Sequence, residues 1–152
     1  MPGPLSEALR ADGAAVAPYL RMLHLTGEDG DRAVAFVREV LAAYPPDALE
    51  EEAVALLDEA NWRFHLVAAV AVVLGLRSPR LDAAVWEAFD RGSWVAPQLA
   101  ATALIADADF AARARVRLDA AAGLGAKAAG ALVALAELTP ALAGWVARRR
   151  AQ

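Results

Sequence analysis

Five side chains set the limits of the chemistry this chain can do: the histidines His24 and His65 and the serines Ser6, Ser78 and Ser93. Nucleophilic catalysis needs a serine beside a base. Ser78 stands before Pro79, where a turn is expected, and Ser93 falls where a helix needs an N-cap. His65 lies one turn into an apolar stretch, the setting of a core histidine bonded to backbone. The two histidines are far apart in sequence and the chain has no Cys, so neither thiolate chemistry nor a histidine–cysteine zinc set is expected. "GEDGDR" (27–32) crowds Glu28, Asp29 and Asp31, but without the spacing and distal glutamate of a calcium loop. It reads as a capped, solvated loop. "GLGAKAAG" (123–130) has the glycines of a phosphate loop without its Lys-Ser/Thr ending or a preceding strand, and reads as an inter-helix turn. The expectation is no catalytic residue, no cofactor and no metal.

The elements that must position any site are helices. Hydrophobic residues form 59% of the 152 residues, with alanine dominant and β-branched residues few. No basic, apolar leader opens the sequence, and with the lack of Cys this points to a cytoplasmic protein. Net charge is −4, divided unevenly: residues 1–76 carry 12 acidic and 5 basic groups, residues 77–152 carry 7 and 10. An acidic isoelectric point near 5.1 opposes a nucleic-acid backbone. Arg113, Arg115 and Arg117, with Arg148–Arg150, make only small basic patches.

The chain repeats itself. At an offset of 32, "LDEANWRFHLVAAVAVVL" (57–74) falls on "FDRGSWVAPQLAATALIA" (89–106): Asp58 on Asp90, Asn61 on Ser93, Trp62 on Trp94. Leu49, Ala53 and Leu57 fall likewise on Leu81, Val85 and Phe89. A third copy of the first helix, "DFAARARVRLD", places Phe110 and Leu118 eight apart and ends on Asp119. Each unit reads as an amphipathic helix (47–59, 80–91), a tight turn capped by Asn61 or Ser93, and a mostly apolar second helix. Trp62 and Trp94 are expected to plug the gap between layers. Residues 29–42 and 126–137 supply outer copies, with 14–25 pairing the first and 140–149 closing the end. Stacking also explains why Leu66–Leu76 is apolar all round; its 11 residues are too few for a membrane span, which needs about 20. The C-terminal run into Arg148–Arg150 is interrupted by Glu137 and Pro140, and no membrane role is expected.

A first helix ending in Leu/Phe-Asp, a short turn, then Trp-Arg and an alanine-rich second helix resembles HEAT repeats of the short bacterial type, over about residues 30–138 and most strongly 47–107. The resemblance implies an all-α, right-handed solenoid of about four HEAT-like helical hairpins in one domain spanning 1–152. It also implies that Asp58, Asp90 and Asp119 tie successive turns together. Val95 and Pro97 stand where Arg63 and His65 stand one repeat earlier, and there the pattern is broken. Proteins of this kind are mostly interaction scaffolds. HEAT-like DNA glycosylases use Trp, Asp and Arg on a basic concave face, which the acidity here argues against.

The leading reading is a non-catalytic protein–protein interaction or adaptor module. Arg38 and Glu39 break the apolar side of 31–42, so that side should face outward. The offset carries Arg38 to Val70, Thr102 and Ala134, a row with Gln98 and His65 beside it that suits docking of a helix or peptide. The acidic first helix, with Glu50, Glu51, Glu52 and Glu59, offers a second surface for a basic partner. This motivates the alternative of a small acidic immunity protein neutralising a basic toxin. An enzyme with an unrecognised site, tested at His65 or Arg63, is the third reading. Self-association through the row is compatible with each.

Overall fold

The computed structural model describes residues 3–10, 22, 27–120 and 124–135, and their regular structure is all helical. A short 3-10 helix, Leu5–Leu9, precedes α1 (Gly27–Ala43), α2 (Pro46–Asp58), α3 (Trp62–Val73), α4 (Pro79–Asp90), α5 (Ala96–Ala106) and α6 (Phe110–Asp119); residues 126–135 are helical again. The segments 14–25, expected to pair the first hairpin, and 140–149, expected to close the end, lie outside the described residues, Met22 excepted, as do His24 and Arg148–Arg150.

Local chemistry sets the boundaries. Pro45 cannot continue α1, and Pro46 and Pro79 sit at the first position of α2 and α4, where the missing N–H has no helical partner to lose. Asn61 caps α3 by accepting from the Arg63 amide at 3.1 Å, and Ser78 caps α4 by accepting from Leu81 at 3.1 Å. At the end of α4, Gly92 takes φ +79°, which lets Gly92 N donate to Phe89 O at 3.0 Å and Ser93 N to Ala88 O at 3.4 Å. These are the two bonds of a Schellman closure, and they fix Ser93 at the head of the next turn. Acidic "GEDGDR" is not a loop: it is the first turn and a half of α1. Carboxylates near a helix N-terminus complement its dipole, and Glu28 pairs with Arg32 at 3.7 Å.

The hairpins α2/α3 and α4/α5 pack side by side, α2 on α4 and α3 on α5, while α1 and the 3-10 helix cover α3 from the other side. Eight successive residues of α3, His65–Val72, are consequently buried. The apolar run of α3 is that of a helix with neighbours on every side, and no helix among the described residues is long and apolar enough to cross a membrane.

Arginines tie neighbouring helix pairs together. Arg91 reaches back to the Leu57 carbonyl and lies 3.7 Å from Asp58. Arg117 of α6 grips Asp90 with both arms of its guanidinium, at 2.7 Å each. Asp58 and Asp90 thus link neighbouring helix pairs. Between layers, the large ring that fills the core is Trp86: it stacks on Phe110 at 5.8 Å, meets Phe89 edge-on at 5.7 Å and donates its indole N–H to buried Asp107 at 2.8 Å. Trp94 does not fill that role, because it is 58% exposed.

Candidate functional site

Three of the residues expected to bind a partner come together. Val70 of α3 and Gln98 and Thr102 of α5 line one apolar hollow of about 230 Å³, completed by Val34 of α1, Met22, Leu66, Ala69, Val73, Leu74, Ala101 and Ile105. Thr102 spends its hydroxyl within α5, donating to the Gln98 carbonyl at 2.8 Å. The Gln98 Oε1 atom is buried and accepts no hydrogen bond among the described residues. An unpaired buried acceptor in apolar surroundings is costly, so the hollow carries one unmet demand for a donor.

The expected outward row does not exist as drawn. Val70 and Thr102 are only 5% and 3% exposed and form the floor of the hollow, whereas Arg38 and Ala134 are exposed and do not line it. The offset maps helix onto helix correctly but not their surroundings: α3 and α5 have neighbours that α1 and 126–135 lack. His65 is likewise buried and lies at the turn end of α3, away from the hollow.

The acidic surface is partly engaged. Glu52 accepts from the Leu5 amide at 3.0 Å and from the Ser6 amide and hydroxyl, both at 2.8 Å, pinning the 3-10 helix to α2. Glu51 lies 3.8 Å from Arg80 across a charged groove that also holds Asp58, Glu87 and Arg91. Glu50, half-buried, borders a different recess beside Leu74–Arg77.

At the turns, Ser93 makes the expected bond and one more. Its Oγ accepts from the Val95 amide at 3.3 Å, the counterpart of Asn61 accepting from Arg63, although α5 begins two residues later relative to α3, with Val95 as its N-cap. The same Oγ lies 2.7 Å from His65 Nδ1, while His65 Nε2 lies 2.6 Å from the Glu59 carbonyl. A carbonyl only accepts, so Nε2 carries the proton, Nδ1 is the bare nitrogen, and Ser93 Oγ–H donates to it. Burial pushes the His65 pKa below the ordinary 6.5; the bond to Glu59 opposes that shift and nearby Arg91 adds to it. Beside this pair runs a ladder of rings and cations. Arg63 lies 5.2 Å from the Trp62 ring, Trp62 and Trp94 are 4.8 Å apart and tilted by 47°, and Lys127 sits 4.7 Å from Trp94 while donating to its carbonyl at 3.0 Å. The matched tryptophans at offset 32 could have signalled this ladder; nothing in the spacing signalled the pairing of His65 with Ser93.

No family model, curated protein or solved structure matches this chain.

Proposed function

We propose that the chain is a protein-interaction module, a right-handed solenoid of about four HEAT-like hairpins whose hollow between α1, α3 and α5 receives an apolar segment of another protein and does no chemistry on it. The observation that carries the reading is the pairing of an apolar lining with one buried, unpartnered acceptor, Gln98 Oε1. Ligand sites are mostly apolar and are oriented by few polar groups. A bulky side chain bearing a single N–H or O–H would meet both features. The repeated-hairpin reading rests on the shared offset, on α2/α4 and α3/α5 packing, and on the links from Asp58 to Arg91 and from Asp90 to Arg117. A cytoplasmic setting is proposed from the lack of Cys alone. The immunity reading ranks second, since Glu52 and Glu51 already have partners within the chain.

Displayed random peptides, selected on the wild type and counter-selected on Val73→Arg, test the proposal. Val73 stands at the rim, 38% exposed, so the change blocks the entrance without disturbing the core. Enrichment of apolar sequences carrying Trp or Tyr, with affinity lost on Val73→Arg, is expected. Peptides that bind both proteins equally, or no enrichment, would remove the hollow as a docking site.

A further inference from the structure

The turn between α4 and α5 holds a second arrangement, sharing no residue with the apolar hollow. Its parts are those of an activated alcohol. Ser93 Oγ donates to an imidazole nitrogen at 2.7 Å, and that imidazole is held in one tautomer by the Glu59 carbonyl at 2.6 Å. Nucleophile, base and orienting acceptor thus stand in line, as acyl transfer to serine requires. Ser93 itself is part-buried rather than sealed, at the head of a turn fixed by Gly92 at φ +79°. The next amide, Trp94 N–H, has no acceptor among the described residues. The Trp94 ring, next in the chain, is 58% exposed, with Trp62 and Lys127 against it.

We propose that Ser93 is a nucleophile activated by His65, taking acyl groups from small esters whose apolar or aromatic alcohol portion rests against Trp94. Ser93 Oγ bonds to the ester carbonyl carbon as its proton passes to His65 Nδ1, and the adjacent Trp94 N–H, without an acceptor among the described residues, is the backbone donor for the carbonyl oxygen. The carbon–oxygen bond to the alcohol then breaks, and the departing oxygen takes the proton back from His65. Water, deprotonated by the same nitrogen, releases the acyl group as a carboxylic acid and restores the serine. No carboxylate stands behind His65, only a neutral carbonyl, and Arg91 disfavours the imidazolium. Turnover is therefore expected to be slow and acylation easier to see than release.

The Ser93–His65 bond also ties α3 to the turn before α5, so the test must separate reactivity from architecture. Full-length protein is treated with an alkyl fluorophosphonate, and with p-nitrophenyl acetate in parallel, and adducts are mapped by mass spectrometry. A single adduct on Ser93 is expected, with Ser6 and Ser78 unmodified and nothing at that site in Ser93→Ala. His65→Gln keeps an acceptor for Ser93 and a donor for Glu59 but cannot take a proton. Its labelling should be slower by about a hundredfold or more, with helicity unchanged. No adduct on the folded wild type would overturn the proposal, as would an adduct that His65→Gln forms at the same rate. Either result leaves the pair as a tie between turns.

Discussion

The buried imidazole of His65 makes stability depend on pH in a direction fixed by its surroundings. Its pKa is lowered by burial, and the unfolded chain restores the ordinary value of 6.5. Between the folded and unfolded values the unfolded state binds more protons, so stability must fall as pH drops from about 7.5 through the unfolded pKa and level off below the folded one. Thermal unfolding midpoints measured from pH 8 to about pH 5 should show this loss. In His65→Gln the part of the slope owed to His65 disappears, because glutamine keeps polar contacts to Ser93 and Glu59 without titrating. Parallel curves for the two proteins would mean that the imidazole keeps its ordinary pKa in the fold, so that burial does not favour its neutral form. The acyl-transfer proposal needs a neutral imidazole, so the same titration bears on it.

The helices owe their places to alanine as much as to the larger side chains. Ala68 and Ala71 are fully buried in α3, where small residues let α1, α2 and α5 approach the same cylinder. Adding volume there must force neighbours apart. Ala71→Leu should destabilise the protein by about 1–3 kcal/mol, and Ala55→Leu on the exposed side of α2 by no more than about 0.5 kcal/mol. Urea unfolding of the two variants makes the comparison, and equal costs would show that α3 is not enclosed. This crowding also explains what was legible in the sequence. Helix positions, Asn61 and Ser78 as turn residues and the enclosed α3 follow from local spacing and repetition, whereas the links made by Asp58 and Asp90 are implied by the resemblance to HEAT repeats. Orientation around an axis is a different matter: Arg38 and Val70 occupy matched positions, yet Val70 is covered by neighbours that α1 does not have. Trp86 escaped notice because it has no tryptophan one repeat away, although it organises Phe89, Phe110, Asp107 and Arg117. Ser93 keeps the expected bond to the following turn through the Val95 amide, whereas its pairing with His65, 28 residues away, leaves no mark in local spacing.

At the scale of the molecule, the question is whether the hairpins melt together. A hairpin such as α2/α3 cannot bury both faces of α3 alone, and stacked helix pairs gain stability from interfaces as well as from their own folding. Here those interfaces are extensive: one continuous cluster of buried apolar residues runs from Leu5 to Leu132. The 3-10 helix joins it through Leu5 and Ala8 while Glu52 holds its backbone, and at the other end Phe110 carries the contact from α4 into α6 through Trp86. Interfaces of this extent outweigh the gain from freeing a single hairpin, so unfolding should be cooperative. Far-ultraviolet circular dichroism reads helices along the whole chain, whereas fluorescence weights buried Trp86, at the junction of α4 and α6. Their urea midpoints should coincide in the wild type, and Ala71→Leu should shift both by the same amount although it lies in α3. A fluorescence transition that stays in place while the helical signal moves would show that α2/α3 unfolds apart from α4–α6. The hollow between α3 and α5 would then open before the rest of the molecule does, and the apolar segment proposed to bind there would meet a partly unfolded host rather than a preformed site.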